Sequence, residues 1–402
     1  MHAVTPKVLD EIADAINLKS EAIAEAAKTG RDRTFRNFRT SEIIEITGLT
    51  DRQIRDWRRI NKATLTSFRE AAGGEMAGLP HLPLTLGEMH RMMGDLDVLP
   101  RRPAGSRALR LGCLNFKGGS TKSSTCLNLA VYFAIQGWRV LCIDADPQGS
   151  LSSMFNFRPE DVESEYTLLP ALKSVASQEL FDRATLLPQR THIHGLDLVP
   201  ANLELIGADF DITAAFQSRA PSAQNFYECV GNAISSVEDE YDLVFIDGAP
   251  AFSFAALATM WAVDGMIIPV PPASPDFKAT ASFCSMAADG LGRLALRAGR
   301  PDREWAPCLF LHNRVNAQRS SASQISTWSK EIFGRYRIDE SIPDSSAVAN
   351  ALAKQMSVWE ATSSSVDARA LKVARDAYTK VGVRVTEAIL DAWNAGFAAE
   401  GE

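Results

Sequence analysis

An α/β protein with a doubly wound, mostly parallel sheet, preceded by a smaller all-α region, is what three features of this chain predict. From Arg110 onward, apolar runs alternate with helical patterns, as in βαβ units whose strands are buried on both faces. One run, beginning at Leu109, passes through a glycine-containing loop into a helix with Cys126, Leu127, Ala130, Val131 and Ala134 on a helical period. Two later runs end in aspartate, at Asp144 and Asp247, and such carboxylates lie on the ligand edge of an open α/β sheet.

The chain has 402 residues, more than one typical domain. We divide it into an N-terminal helix (1–30), a helix-turn-helix region and linker (31–105), and an α/β domain (106–402). No apolar run approaches the roughly 20 residues that span a bilayer, and the N-terminus lacks the pattern of a signal peptide, so the expected location is cytoplasmic. The six cysteines are dispersed without a C-x-x-C pair and read as reduced core residues. His192 and His194 alternate as in a strand and read as structural. The net charge of −7 is uneven: residues 1–110 hold 18 Lys+Arg against 15 Asp+Glu, the remainder 24 against 34. Positive charge before the glycine loop points to a polyanionic partner.

In chain order, Thr5-Pro6 opens an amphipathic helix carrying Val8, Ile12, Ile16 and Ile23, either packed on its own domain or serving as a dimerisation arm. Ser41 is expected to cap a short helix, Gly48 to make a tight turn, and Thr50 to cap a second helix. That helix would face Ile54 and Trp57 inward and turn Arg52, Arg55, Arg58 and Arg59 elsewhere. This is a helix-turn-helix pattern, whose second helix enters the DNA major groove; a helical hairpin with a solvated basic face is the other reading. Thr85 with Glu88 opens a further helix, which resembles the one following such a motif in winged or MerR-like domains, and residues 71–83 would be a loop or wing. Residues 98–106, VLPRRPAGS, mark the boundary.

The loop NFKGGSTKSS supplies what a phosphate-binding loop needs: small residues at Gly118, Gly119 and Ser120, Lys122 for the terminal phosphates, and the Ser123 hydroxyl for magnesium, at a helix N-terminus. Set against G-x-x-x-x-G-K-[ST], it lacks both glycines of the pattern, at Phe116 and Thr121, and carries an extra lysine at Lys117. VLCIDADPQG ends in Asp144 and Asp146, and YDLVFIDG ends in Asp247 as a Walker B strand does. Aspartates beside a phosphate loop would repel a nucleotide unless a magnesium ion intervened.

These motifs resemble the deviant P-loop NTPases of the ParA and MinD superfamily, with KGGxxK[ST] followed by DxDPQG. LDLVPANLEL and PPASPDF resemble segments of the larger plasmid partition ATPases with an N-terminal DNA-binding domain, most of all those of repABC replicons. The resemblance implies ATP and Mg2+ held by Gly118, Gly119, Ser120, Thr121, Lys122, Ser123 and Ser124. It implies Asp247 and Asp146 toward the metal or attacking water, and Lys117 reaching the partner's nucleotide across a homodimer. Asn313 matches the asparagine that reads the adenine edge. Arg319 matches an arginine used for non-specific DNA binding, a solvated surface arginine being the alternative. By the same resemblance the protein is a weak ATPase stimulated by a ParB-type centromere-binding protein, binds nucleoid DNA and represses its own operon through operator DNA. Departures are Thr121, Ala249 and Ala258, and Thr121 is expected to slow turnover. The alternatives are a nucleotide-responsive transcriptional repressor and a MinD-like positioning ATPase. The latter needs a basic, apolar terminal helix, whereas this chain's C-terminal helix, with Leu371, Val373, Ala377, Val381, Val385 and Ile389, precedes an acidic end and is expected to dock on the α/β domain.

Overall fold

The alternation of apolar runs and helices resolves into one sheet flanked on both faces. A computed structural model describes residues 33–62, 64–65, 82–316, 320–362 and 366–398; the predicted helix at 1–30, Arg319 and most of the 71–83 loop lie outside them. Among the described residues eight strands occur: β1 (Leu109–Cys113), β2 (Val140–Asp144), β3 (Gln189–Arg190), β4 (Leu196–Val199), β5 (Leu243–Asp247), β6 (Gly265–Val270), β7 (Cys308–Val315) and β8 (Arg337–Pro343). Their order is β3-β4-β2-β5-β1-β6-β7-β8, and every pairing is parallel except β3 with β4. β1 sits near the middle, so all five of its residues are buried. The chain crosses from β1 past β5 to β2 and later returns to β6 on the other side, which makes the C-terminal end of β1 a topological switch point, where open α/β sheets take ligands.

Side-chain alternation in the strands divides the core in two. Leu109, Leu111, Cys113, Leu243 and Phe245 face one layer, while Val244, Ile246, Met266 and Ile268 face the other. The first layer is continuous with the N-terminal helices α1 (Thr40–Thr47), α2 (Asp51–Ile60) and α3 (Leu86–Asp95). Phe38, Ile43, Ile54, Trp57, Met89 and Met92 join the same apolar cluster as Leu129 and Phe133 of α4 (Lys122–Gln136). Each such side chain adds about 1.5–3 kcal/mol of burial free energy, so the two regions fold against one another. The C-terminal helix Ala368–Asn394 docks on this layer through Leu371, Ala374, Tyr378, Val381, Val385 and Ile389, and Val373 faces solvent instead. No helix among the described residues is long and apolar enough to cross a membrane.

Polar contacts fasten the regions as well. Arg33 donates to Met154 O (3.0 Å) and Gln355 O (2.8 Å) and pairs with Glu360 at 2.7 Å, while Arg36 Nε donates to Trp359 O (2.9 Å). The boundary segment 98–106 is strapped to the base of the sheet, where Arg102 donates to Glu238 O and Tyr241 O, both at 3.2 Å. Two local expectations change. Arg39, not Ser41, stands at the N-cap of α1, because Glu42 Oε2 reaches back to Arg39 N at 3.0 Å. His192 and His194 lie in the turn between β3 and β4 rather than in a strand.

Candidate functional site

At the end of β1, Leu114 N donates to Ile267 O (3.0 Å) and the chain then leaves the sheet. Asn115 fixes that departure: its buried side chain donates to Pro269 O (3.0 Å) and accepts from Lys117 N (3.1 Å). Sequence reasoning missed this residue, although a polar side chain directly after an apolar strand was the signal. Phe116 packs edge-on against Phe252 and Phe283, with centroids 5.6 and 4.9 Å away. Gly118 and Gly119 follow, both exposed, with open space where a Cβ would stand and Gly119 at φ +74°. The backbone of this turn is bare, as a phosphate cradle requires.

Lys122 begins α4 and is buried beneath the loop. Burial lowers its pKa, while Asp247 and Asp146 pull it back up. The register explains why those carboxylates gather: Cys113 and Asp144 both pair with Asp247 across the adjoining strands. Asp144 is an internal brace, accepting from Ser152 N (2.8 Å), Ser152 Oγ (2.7 Å) and Asp146 N (3.2 Å). Burial raises its pKa to about 6 against those hydrogen bonds. Asp146 holds the next turn through Gln148 N (3.0 Å).

Asp247 is different. It is completely buried, and neither carboxylate oxygen accepts a hydrogen bond. Burial and the nearby Asp144 raise its pKa well above the usual range, with Ser123 and Lys122 opposing. A buried carboxylate so poorly provided with donors is costly to ionise and favours a further cation beside it. The donor set fits magnesium: the hard oxygens of Asp247 and Asp146 and the hydroxyl of Ser123 lie at the head of a helix that also suits phosphate. The Ser120 hydroxyl, also buried without a partner, faces the same unmet demand. Ser124 Oγ donates to Thr121 O (3.0 Å) and so belongs to the helix start.

Asn313, on β7, comes to the same edge. It is buried, and its Nδ2 lies 2.7 Å from Thr121 Oγ1 and 2.6 Å from Thr125 Oγ1. Lys117 stands partly exposed at the loop's outer rim.

The N-terminal arginines divide. Gly48 turns the chain at φ +69°, Thr50 caps α2 with Gln53 closing a capping box, and Arg52, Arg55 and Arg59 are exposed with intrahelical partners Asp56 and Asp51. Arg58 is not on that face. Only 1 % exposed, it donates to Thr40 Oγ1 at 3.0 Å, because i, i+3, i+4 from Ile54 places Trp57 and Arg58 on the inward stripe. His192 and His194 part company: the first bonds Glu360 Oε1 (2.6 Å) and the second meets His90 Nδ1 (3.0 Å).

Residues 111–281 match a family model described as an AAA domain. A relative in Sinorhizobium fredii named for replication protein A is 26% identical over 90% of this chain and 88% of its own length. Protein SopA of Escherichia coli K12 is 23% identical, covering 81% of each chain. A solved structure titled "Partition Protein" superposes with a TM-score of 0.60 at 19% identity, over 94% of this chain and 98% of that one.

Proposed function

The chain belongs to the ParA family of plasmid partition ATPases, and from that premise we propose that it is an ATP-switched dimer that segregates a plasmid and regulates its own operon. The observation that carries this reading is Asp247, a fully buried carboxylate whose charged form is favoured by Lys122 and Ser123 but whose pKa burial still drives up. Gly118, Gly119 and Ser120 offer backbone and hydroxyl donors to the phosphates of ATP, and Lys122 neutralises the terminal ones. Ser123, Asp247 and Asp146 would hold the magnesium, which when bound would stabilise the charge that develops on the phosphates. Asp146 orients the attacking water, and Asn313 reads the adenine. Lys117 crosses to the nucleotide of a second copy, so that assembly and hydrolysis are coupled and differential contact with the γ-phosphate sets the population of the dimer.

In this reading α2 enters operator DNA with Arg52, Arg55 and Arg59, while Arg319 serves non-specific contact with the nucleoid. A ParB-type partner accelerates a slow intrinsic turnover. The buried C-terminal helix supports this over a membrane-positioning ATPase, since its apolar stripe is already covered. The test is nucleotide binding and phosphate release by the full chain, with and without DNA and a ParB-type protein. Lys122→Ala is expected to weaken ATP binding at least a hundredfold; retained micromolar binding would refute the site. Lys117→Ala is expected to bind ATP yet lose nucleotide-dependent dimerisation, and a variant that still dimerises would remove the cross-subunit role.

A further inference from the structure

Thr121 occupies a backbone conformation that its own side chain disfavours, at φ +70° and ψ +22° immediately before Lys122. A β-branched residue in the left-handed region is an outlier that its surroundings must hold in place. What holds it is a set of hydrogen bonds reaching the opposite side of the site. Thr121 Oγ1 donates to Ser120 O (2.5 Å) and accepts from Asn313 Nδ2 (2.7 Å). Thr125 Oγ1 donates to Thr121 O (2.7 Å) and accepts from the same Nδ2 (2.6 Å).

This arrangement fixes the amide's orientation by donor and acceptor count. Each threonine has one hydroxyl proton, and both protons are committed to backbone carbonyls. Only lone pairs are left to face Asn313, so the amide must turn its NH2 toward them and its Oδ1 away. That oxygen is buried and accepts no hydrogen bond, on a residue 1 % exposed. The strand carrying it is bent at the same point: Arg314 sits at φ +57°, and the pairing of β7 with β8 shifts register between His312 and Val315.

The geometry points to Thr121 as the positioning residue that presets the Asn313 carboxamide as an acceptor and thereby selects a 6-aminopurine nucleotide. This rests on the nucleotide-site reading above. A lone buried acceptor is satisfied by the exocyclic amine of adenine, whereas the 6-oxo group of guanine opposes one acceptor with another. Without the Thr121 hydroxyl, one of two pins is gone and the amide can rotate its NH2 toward the base. A threonine at a left-handed position is thus explained by what its hydroxyl does on the far side of the site.

The test is equilibrium binding of ATP and GTP to the full chain with magnesium, read as the ratio of the two affinities, alongside melting temperature. Thr121→Ser keeps the hydroxyl and is expected to keep the ratio. Thr121→Gly removes hydroxyl and backbone strain together, so it folds, and its preference for ATP is expected to fall about tenfold or more. Thr125→Val removes the second pin and is expected to act in the same direction. An unchanged ratio in both Thr121→Gly and Thr125→Val would overturn the positioning role. Wild-type chain that binds neither nucleotide, or binding that survives Lys122→Ala, would instead overturn the site on which the role depends.

Discussion

Two buried carboxylates in this molecule have opposite surroundings. Glu360, at the seam between the N-terminal helices and the sheet, receives Arg33 and His192 on one oxygen and the N–H and hydroxyl of Ser357 on the other. Burial alone would raise its pKa, but His192, Arg33 and Ser357 more than offset it, and the net shift is downward. Asp247, at the phosphate loop, is buried more completely, its oxygens have no such set of donors, and burial and Asp144 move its pKa up against Ser123 and Lys122. A protein completes its hydrogen bonds where it needs only to hold together, and leaves them open where a ligand is to complete them.

That contrast can be broken at either end. Glu360→Ala strands Arg33 and His192 in the seam and is expected to cost about 3–5 kcal/mol, measured by urea unfolding. Because the folded pKa of Glu360 is depressed, its contribution is present above the unfolded carboxylate range and is lost as pH falls through the folded value. A loss under about 1 kcal/mol would make the seam apolar in origin.

The histidine pair sharpens the same seam. Burial, and after it His194, lowers the pKa of His90 to about 4, with Arg101 adding to the effect and the Ala134 backbone opposing it. The unfolded chain therefore takes up a proton that the folded one refuses. Stability is complete above about pH 6.5 and declines toward pH 4, by about 3 kcal/mol in all. His90→Gln is expected to flatten that portion of the pH profile, and an unaltered slope would exclude the pair as its source.

Smaller effects separate the arginines of α2. Arg58→Ala is expected to lower stability by about 1–3 kcal/mol, because it removes packing and the bond to Thr40. Replacing Arg52, Arg55 and Arg59 with alanine is expected to leave the melting temperature within a degree or two and to weaken operator binding, with a salt dependence shallower by about one log unit of slope for each phosphate no longer neutralised. Equal binding by the triple variant would reduce α2 to scaffold. The smallest effect has the opposite sign: Asp247→Asn removes a buried carboxylate whose pKa burial and Asp144 push up against Lys122 and Ser123, so the nucleotide-free chain is expected to be unchanged or stabilised by about 1 kcal/mol. Its magnesium-dependent nucleotide binding should be lost.

What could be read in the sequence was whatever is local. The Thr50 and Thr85 capping boxes, the phosphate loop and the strands ending in Asp144 and Asp247 depend on spacings of a few residues, and the sheet followed from their alternation. Arg58 was also legible, since the helical period carrying Ile54 and Trp57 inward includes it, but its charge suggested the surface. The Asn313 bond to Thr121 spans 192 residues, and the Arg36 bond to Trp359 spans 323. No local pattern announces such partners, because strand order and helix docking alone bring them together. For the same reason Thr121 read as a defect in a loop until its hydroxyl had somewhere to go.

The helix that starts at Lys122 also has a second attachment. Two turns on, Asn128 accepts from Val358 N (2.9 Å) through Oδ1 and from Trp359 Nε1 (2.8 Å) through its backbone carbonyl. Trp359 O in turn accepts from Arg36 and Arg375. Six residues of rigid helix, about 9 Å, are the whole distance from the loop's lysine to the peptide that anchors the N-terminal region. A tilt of this helix at its beginning would therefore be felt at that anchor as well.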